Sequence, residues 1–383
     1  MRRHGPAYLE RYGASLLPSH ARAIDAILDC RTPAMGGHIA ACEQCGTEHL
    51  FYHSCRNRAC PQCGYDATQR WIGEQEVWLL PVPYFHVVFT LPAELRRIVR
   101  SHQKELLSVL FKAAFQSLSD LCTDPHYLGG QVGALAVLHT WTRTLEWHPH
   151  VHMLVPGGAM APDGRTWLPA PPRRKRYLVP VRALAKRFRG RFLHLARRAL
   201  PGVSFPDIPW GKRWIVFAKP VVQKAEKVLE YLGRYVHRTA LSDHAIVHCD
   251  DKTVTFRYRD SRDQARKTMT LPADEFLRRF LQHVLPKGFH RVRAFGLLHS
   301  THRDTLRQLQ LVLARPATVD EPFERTPLPR LRCSECGHTS LRVVSRVSAA
   351  EILALLNESH PPRIPTARAP PIRPPRATGA MPP

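Results

Sequence analysis

Trp147-His148-Pro149-His150-Val151-His152-Met153-Leu154-Val155 is the stretch that decides how this chain is read. It has the composition of a strand, in which alternate side chains share a face. His148, His150 and His152 then project together, while Val151, Met153 and Val155 point into a core. Three close imidazoles repel one another when protonated, so they are most simply explained as neutral ligands sharing a cation. The plain alternative is a solvated polar face on an edge strand. Pro149 favours an edge, because proline cannot donate to a ladder, but such a face more usually carries Thr, Lys or Glu. His150 and His152 form the firmest pair; the third ligand is His148 or a residue of another strand. An all-imidazole set suits zinc, manganese or another transition metal better than magnesium, and water or a carboxylate in the open positions shifts that preference.

The surrounding pattern sets the class. Residues 84–91 read as a strand stopped by Pro92, and a helical pattern over 93–121 ends before Gly129-Gly130. Residues 134–141 and 147–155 are further strands, with turns at Gly157-Gly158 and Pro162-Asp163-Gly164. Arg173-Arg174-Lys175-Arg176 leads into a basic helix over about 181–200, and 214–218 is again strand-like. Pro220 opens a helix to about 238; short strands follow near 245–248 and 254–258, then a helix over about 273–284. An earlier helix covers 17–28, with Leu17, Ala21, Ile24, Ile27 and Leu28 at helical spacing. Strands interleaved with helices, without an internal repeat, give an α+β class.

The helix after Pro220 contains Glu230-Tyr231-Leu232-Gly233-Arg234-Tyr235-Val236-His237-Arg238. Tyr231 and Tyr235 are four apart and share a face; Arg234 and Arg238 repeat the spacing, with Lys224 and Lys227 just upstream. Two tyrosines at this interval are usually core packing. The neighbouring cations argue for more, since they favour phenolate over phenol and hold a phosphate.

The chain has 383 residues, 44% of them hydrophobic, which excludes wholesale disorder and allows two or three domains. Lys and Arg number 56 against 31 Asp and Glu, a net charge of +25, which points to a polyanionic partner, nucleic acid before membrane. Met1-Arg2-Arg3-His4-Gly5-Pro6 lacks the apolar centre of a secretory signal, and no run approaches the roughly 18 apolar residues of a membrane span. The expected location is the cytoplasm. There disulfides are disfavoured, and of the ten cysteines Cys42-x-x-Cys45 and Cys60-x-x-Cys63 have the spacing of a tetrahedral zinc site. Gly46 and Gly64 follow each pair, where a knuckle turn often needs glycine. Buried cysteines or a redox pair are the alternative; Cys55 or His53 is a substitute ligand or part of a second site. Cys333-x-x-Cys336, with His338 beside it, offers two ligands and needs partners from elsewhere. After about Pro361 the chain is rich in Pro and Arg and reads as a basic disordered tail.

The histidine strand followed by the Tyr-x-x-x-Tyr helix resembles the HUH single-strand endonucleases, and among them the two-tyrosine rolling-circle transposases of the IS-ninety-one type. The similarity extends through Ser54-Cys55-Arg56-Asn57-Arg58-Ala59-Cys60-Pro61-Gln62-Cys63, residues 85–92, His148-Pro149-His150-Val151-His152, Tyr231-Leu232-Gly233-Arg234-Tyr235, residues 283–289 and residues 291–296. Ala59 departs from relatives that often carry His before the Cys-Pro-x-Cys pair. The resemblance implies a zinc-binding, DNA-recognising module over 1–80, an HUH-type antiparallel sheet with helices over 81–305, a region over 306–358 holding the last cysteine pair, and a tail over 359–383. It implies that Tyr231 or Tyr235 attacks DNA to leave a 5′-phosphotyrosine, beside Mg²⁺ or Mn²⁺ held by His150, His152 and His148, with structural Zn²⁺ on Cys42, Cys45, Cys60 and Cys63. Arg56, Arg58, Arg234 and Arg238 are the implied contacts to single-stranded DNA at transposon ends and target, in the nucleoid of a bacterium. A replication initiator or relaxase of the same chemistry, a metal-dependent hydrolase using water, and a non-catalytic zinc-ribbon binder are the competing readings.

Overall fold

A computed structural model describes residues 1–171, 178–208, 211–221, 229, 233, 236, 241, 243–260, 263–313 and 332–357. Along the chain run helices α1 (Gly5–Tyr12) and α2 (Pro18–Asp29), strands β1 (Gly37–Cys42) and β2 (Glu48–Tyr52), and α3 (Gly64–Glu76). Then come β3 (Tyr84–Thr90), α4 (Arg96–Ser101), α5 (Gln103–Thr123), β4 (Gly133–Trp141), β5 (Trp147–Pro156), β6 (Gly158–Met160), β7 (Trp167–Pro169) and α6 (Val181–Ala199). Further on lie β8 (Ile215–Pro220), β9 (Ile246–Cys249), β10 (Thr253–Arg259), β11 (Arg266–Pro272), α7 (Ala273–Leu281), β12 (Val292–Gly296), α8 (Arg303–Leu313), β13 (Leu341–Val347) and α9 (Ala349–Asn357). The chain forms two compact units, one of Met1–Leu28 with Arg56–Val319 and one of Asp29–Cys55 with Asp320–Pro383. Each is assembled from two stretches, so the units cut the chain differently from the linear boundaries expected at residues 80 and 305.

The larger unit is built on an antiparallel sheet in the order β12-β4-β5-β3-β8. One face is closed by α5 and α6, whose apolar positions recur every three or four residues. Leu106, Leu107, Leu110, Phe111 and Leu118 of α5 and Phe188 and Phe192 of α6 bury completely against Val87, Phe89, Val151, Met153 and Val155. Each such side chain stabilises the fold by about 1.5–3 kcal/mol. The opposite face carries Tyr84, Leu135, Val137 and Leu154, packed with Ile72 of α3 and with Leu229 and Val236. A second sheet, β11-β10-β9, packs with α7 and the amino-terminal helices, through Tyr8, Ala23, Ile24, Val254, Phe256, Phe276 and Phe280. Residues 1–28 therefore contribute to the core of the larger unit.

Two local expectations change. The strand β5 lies in the middle of its sheet, not at an edge. Its register with β4 shifts between His139, opposite His150, and Trp141, opposite Trp147, so that His148 and Pro149 together face the single residue Thr140. That is a β-bulge, the one place inside a sheet where a residue without an N–H is tolerated. The helical pattern at 93–121 divides at His102, whose backbone leaves the helical region (φ −124°, ψ 53°) while its ring Nδ1 lies 3.2 Å from the Ile98 carbonyl oxygen. A side chain bonded back to its own helix competes with the helical ladder.

The smaller unit holds an antiparallel sheet in the order β13-β1-β2, with β1 paired to β2 from Gly37 opposite Tyr52 and to β13 from Gly37 opposite Val347. The central strand thus takes its two neighbours from opposite ends of the sequence. Among the described residues no helix is long and apolar enough to cross a membrane. The basic run 173–176 and the expected tail 359–383 lie outside the described residues.

Candidate functional site

In the central sheet, directly opposed residues on antiparallel strands share a face. His150 is opposed by His139 on β4 and Thr90 on β3; His152 is opposed by Val137 and Val88; Leu154 is opposed by Leu135 and His86. Register, not sequence proximity, therefore brings His139 to the histidine face. His139, His150 and His152 each offer a ring nitrogen, and these atoms lie within 4.8 Å of one another. The ring centroids are 4.0 Å apart for His139 and His152 and 4.9 Å for His150 and His152. His148 is not part of that group. The bulge takes it out of alternation with His150 and His152, and its Nδ1 accepts a 2.7 Å hydrogen bond from Arg96 Nη2.

Burial decides the protonation states. It pushes His150 down to about 4, although the bond to the His148 carbonyl pulls the other way. Burial first, then the neighbouring imidazoles, holds His139 and His152 well below the usual histidine range. All three are neutral at neutral pH, the form that binds a metal. The tautomers follow from the outer bonds. The Nδ1–H of His150 donates to the His148 carbonyl oxygen over 2.6 Å, leaving Nε2 as the lone-pair nitrogen. The Nδ1 of His152 lies 2.8 Å from His86 Nε2, and the two rings stack 5.0 Å apart, 10° from parallel. With His152 donating, its Nε2 also becomes a lone pair, the usual device of a metal-ligating histidine. Three neutral imidazoles, two of them held by outer bonds at Nδ1, fit a divalent transition metal. Neither His139 nor His86 stood out in the sequence: each is a single histidine in an apolar strand, and only the pairing of three strands reveals what it faces.

The segment bearing the tyrosines is described at three positions, all helical. Leu229 and Val236 are buried on the histidine face of the sheet, in the cluster that contains Leu154 and Val137. Gly233 sits so close to α3 that an added Cβ would lie 2.6 Å from Ile72 Cδ1 and 2.7 Å from its Cγ1. Tyr231, Tyr235, Arg234 and Arg238 lie outside the described residues. Of the expected DNA contacts, Arg56 is exposed. Arg58 is half-buried and donates to the carbonyl oxygens of Leu285 (3.0 Å), Pro286 (2.5 Å) and Phe289 (2.5 Å). Its guanidinium thereby caps the chain after α7.

The smaller unit carries a thiol cluster. Cys42 and Cys45, at the turn between β1 and β2, meet Cys333 and Cys336, just before β13, with sulfurs within 4.8 Å of one another. The Sγ–Sγ separations are 3.5 Å for Cys42 and Cys336 and 3.6 Å for Cys45 and Cys333. These approach the edge of a zinc–thiolate tetrahedron, about 3.8 Å for Zn–S bonds of about 2.3 Å. Cys60 and Cys63, expected to complete the set of Cys42 and Cys45, belong to the other compact unit. There the Cys63 amide donates to the Cys60 carbonyl over 3.3 Å, and Gly64 opens α3. Within the smaller unit the Cys55 amide lies 3.5 Å from Cys30 Sγ.

Fold and sites together define an α+β protein with a histidine centre on an antiparallel sheet and a separate thiol-rich ribbon. The chain matches the family model for putative transposases over residues 133–305 and that for a transposase zinc-binding domain over residues 1–91. It is 41% identical over 361 residues to "Putative transposase y4qJ" of Sinorhizobium fredii, covering 89% of this chain and 90% of that protein. It is 31% identical over 296 residues to "Transposase for insertion sequence element IS801" of Pseudomonas savastanoi pv. phaseolicola, covering 71% and 68%. No solved structure matches the chain. The chain belongs to the transposases of the IS91 (IS-ninety-one) type.

Proposed function

We propose that the chain nicks and rejoins single-stranded DNA at transposon ends through a 5′-phosphotyrosine, as in rolling-circle transposition. The observation that carries this reading is the neutral triad His139, His150 and His152 on the face where Leu229, Gly233 and Val236, the chain neighbours of Tyr231 and Tyr235, are packed. A divalent ion held by the three imidazoles would supply electrostatic stabilisation of the scissile phosphate. Tyr231 or Tyr235 attacks phosphorus; its phenolate O–P bond forms as the P–O3′ bond breaks, and O3′ leaves as a hydroxyl after taking a proton. Attack by another 3′-hydroxyl reverses the step on a new strand. Because one phosphodiester replaces another, no nucleoside triphosphate is consumed. Two tyrosines allow one strand end to be held while a second is cut.

Support for a single-stranded substrate comes from the edge strand β8. Ile215, Phe217 and Lys219 oppose Thr90, Val88 and His86, so they share the histidine face, and all three are exposed. The Lys219 ammonium lies 5.3 Å from the Phe217 ring centroid. An exposed ring beside a cation offers an unpaired base a stacking surface and its phosphate a charge.

The test is a denaturing gel of protein incubated with labelled single-stranded oligonucleotides from the element's ends, with Mn²⁺ or with EDTA. A metal-dependent covalent adduct is expected, lost in the double variant Tyr231→Phe/Tyr235→Phe and in His150→Ala. Cleavage without adduct would assign a hydrolase. Binding without cleavage would assign a non-catalytic ribbon protein.

A further inference from the structure

The two cysteine pairs of the smaller unit lie 288 to 294 residues apart in sequence, yet they are built alike. In the first, the Cys42 amide donates to the Thr47 carbonyl over 2.9 Å and the Gly46 amide to the Cys42 carbonyl over 2.9 Å. In the second, the Cys333 amide donates to the His338 carbonyl over 2.8 Å and the Gly337 amide to the Cys333 carbonyl over 2.9 Å. Gly46 and Gly337 both have φ of +73°, and each has nothing within 4 Å of an added Cβ. Glycine is required there by the left-handed backbone and not by space. Two identical knuckles therefore face one another, each at one end of a strand pair in the same three-stranded sheet: Cys42 pairs with Leu341, five residues beyond Cys336.

The sulfurs are too far apart for a disulfide, whose bond is about 2.05 Å. They are also too close to remain four thiolates without a cation. A tetrahedral divalent ion resolves the conflict, because every thiolate then has a positive partner. An outer bond completes the arrangement: buried His49 places Nε2 3.3 Å from Cys333 Sγ, where an N–H donates to a thiolate.

We propose that Cys42, Cys45, Cys333 and Cys336 bind one structural zinc ion, closing a ribbon whose second knuckle is supplied from beyond the catalytic part of the chain. The residues matched by the zinc-binding family model end at 91, so half of this site lies outside that domain. The consequence is a built-in order of assembly. A chain that has been made only through the histidine and tyrosine motifs has β1 and β2 but neither the partner strand β13 nor two of the four ligands. The ribbon forms only when the chain extends past Val347.

Zinc content of the purified full-length protein tests the site without reference to activity. Cys333→Ser/Cys336→Ser and Cys42→Ser/Cys45→Ser should each lose one zinc per chain, and the fourfold variant should lose no more than either. Full zinc content in the first variant, or losses that add up to two, would overturn the proposal. Because serine variants can misfold, Cys336→His provides a second reading: it should keep its metal, and after cobalt substitution its visible spectrum should move from a four-sulfur to a three-sulfur, one-nitrogen pattern. A cobalt spectrum unchanged by Cys336→His would equally rule the site out.

Discussion

At the scale of single residues, the proposed metal site divides the histidine face into groups placed to hold an ion and groups that aim them. His139 belongs with the first, and its replacement by Ala should abolish Mn²⁺-dependent cleavage while leaving the fold intact. His86 belongs with the second, bonded to His152 at 2.8 Å. Losing such an outer partner typically weakens metal binding about 10- to 100-fold. His86→Ala should therefore raise the Mn²⁺ concentration needed for half-maximal adduct formation by about that factor, with restored yield at saturating metal; an unchanged Mn²⁺ requirement would count against the assignment. Other buried histidines serve the fold. His283 sits between Thr140 Oγ1 (3.2 Å) and the Leu145 carbonyl (3.1 Å), and burial pushes it down to about 3. Burial, then Arg100, pushes His20 down to about 4. Unfolding returns both toward 6.5, so the unfolded chain takes up protons that the fold refuses. Stability should be complete above about pH 6.5 and fall progressively toward about pH 4. Urea midpoints measured across that range should decline with pH, and less so in His283→Gln.

At the scale of elements, the sheet is an irregular device. The bulge at His148 and Pro149 lets β5 run through the middle of the sheet, and it also separates His148, held by Arg96, from the pair His150 and His152. A proline in a strand was a correct signal of irregularity, but sequence could not distinguish an edge from a bulge. The same holds for Gly233, whose close approach to α3 depends on its lacking a side chain. Gly233→Ala gains about 0.5–1 kcal/mol of helix propensity but drives a methyl group into Ile72. The expected result is a net loss of cleavage rate, partly restored by Ile72→Val, which shortens the obstructing side chain. Elements that sequence did not predict were too polar or too short. The strand β11, Arg-Lys-Thr-Met-Thr-Leu-Pro, exposes most of its length, and its apolar alternation is confined to Met269 and Leu271, too short to announce it. By contrast α5 and α6, with long apolar stripes, were legible nearly to their ends.

At the scale of the whole molecule, the net charge of +25 has a measurable consequence. Oligonucleotide affinity should fall steeply with salt, because each neutralised phosphate releases counterions; for single strands the logarithmic slope is about 0.7 per contact. Lys219→Ala should reduce that slope, whereas Phe217→Ala should weaken binding at every salt concentration without changing it, since stacking carries no charge. Fluorescence anisotropy over a salt series separates the two.

The sequence by itself determined the α+β class, the histidine strand, the tyrosine motif, the basic character and the presence of a metal-binding cysteine framework. All of these are written in local spacing or in composition. Only the tertiary structure decided which partners those motifs meet. His139 joins His150 through strand register, and Cys42 and Cys45 join Cys333 and Cys336 across nearly the whole chain. The cysteine spacing pointed to zinc but paired the nearest knuckles, because sequence distance is the only distance a sequence contains. Ligand sets are fixed by which backbones hydrogen-bond side by side, and that is settled by packing of the complete fold.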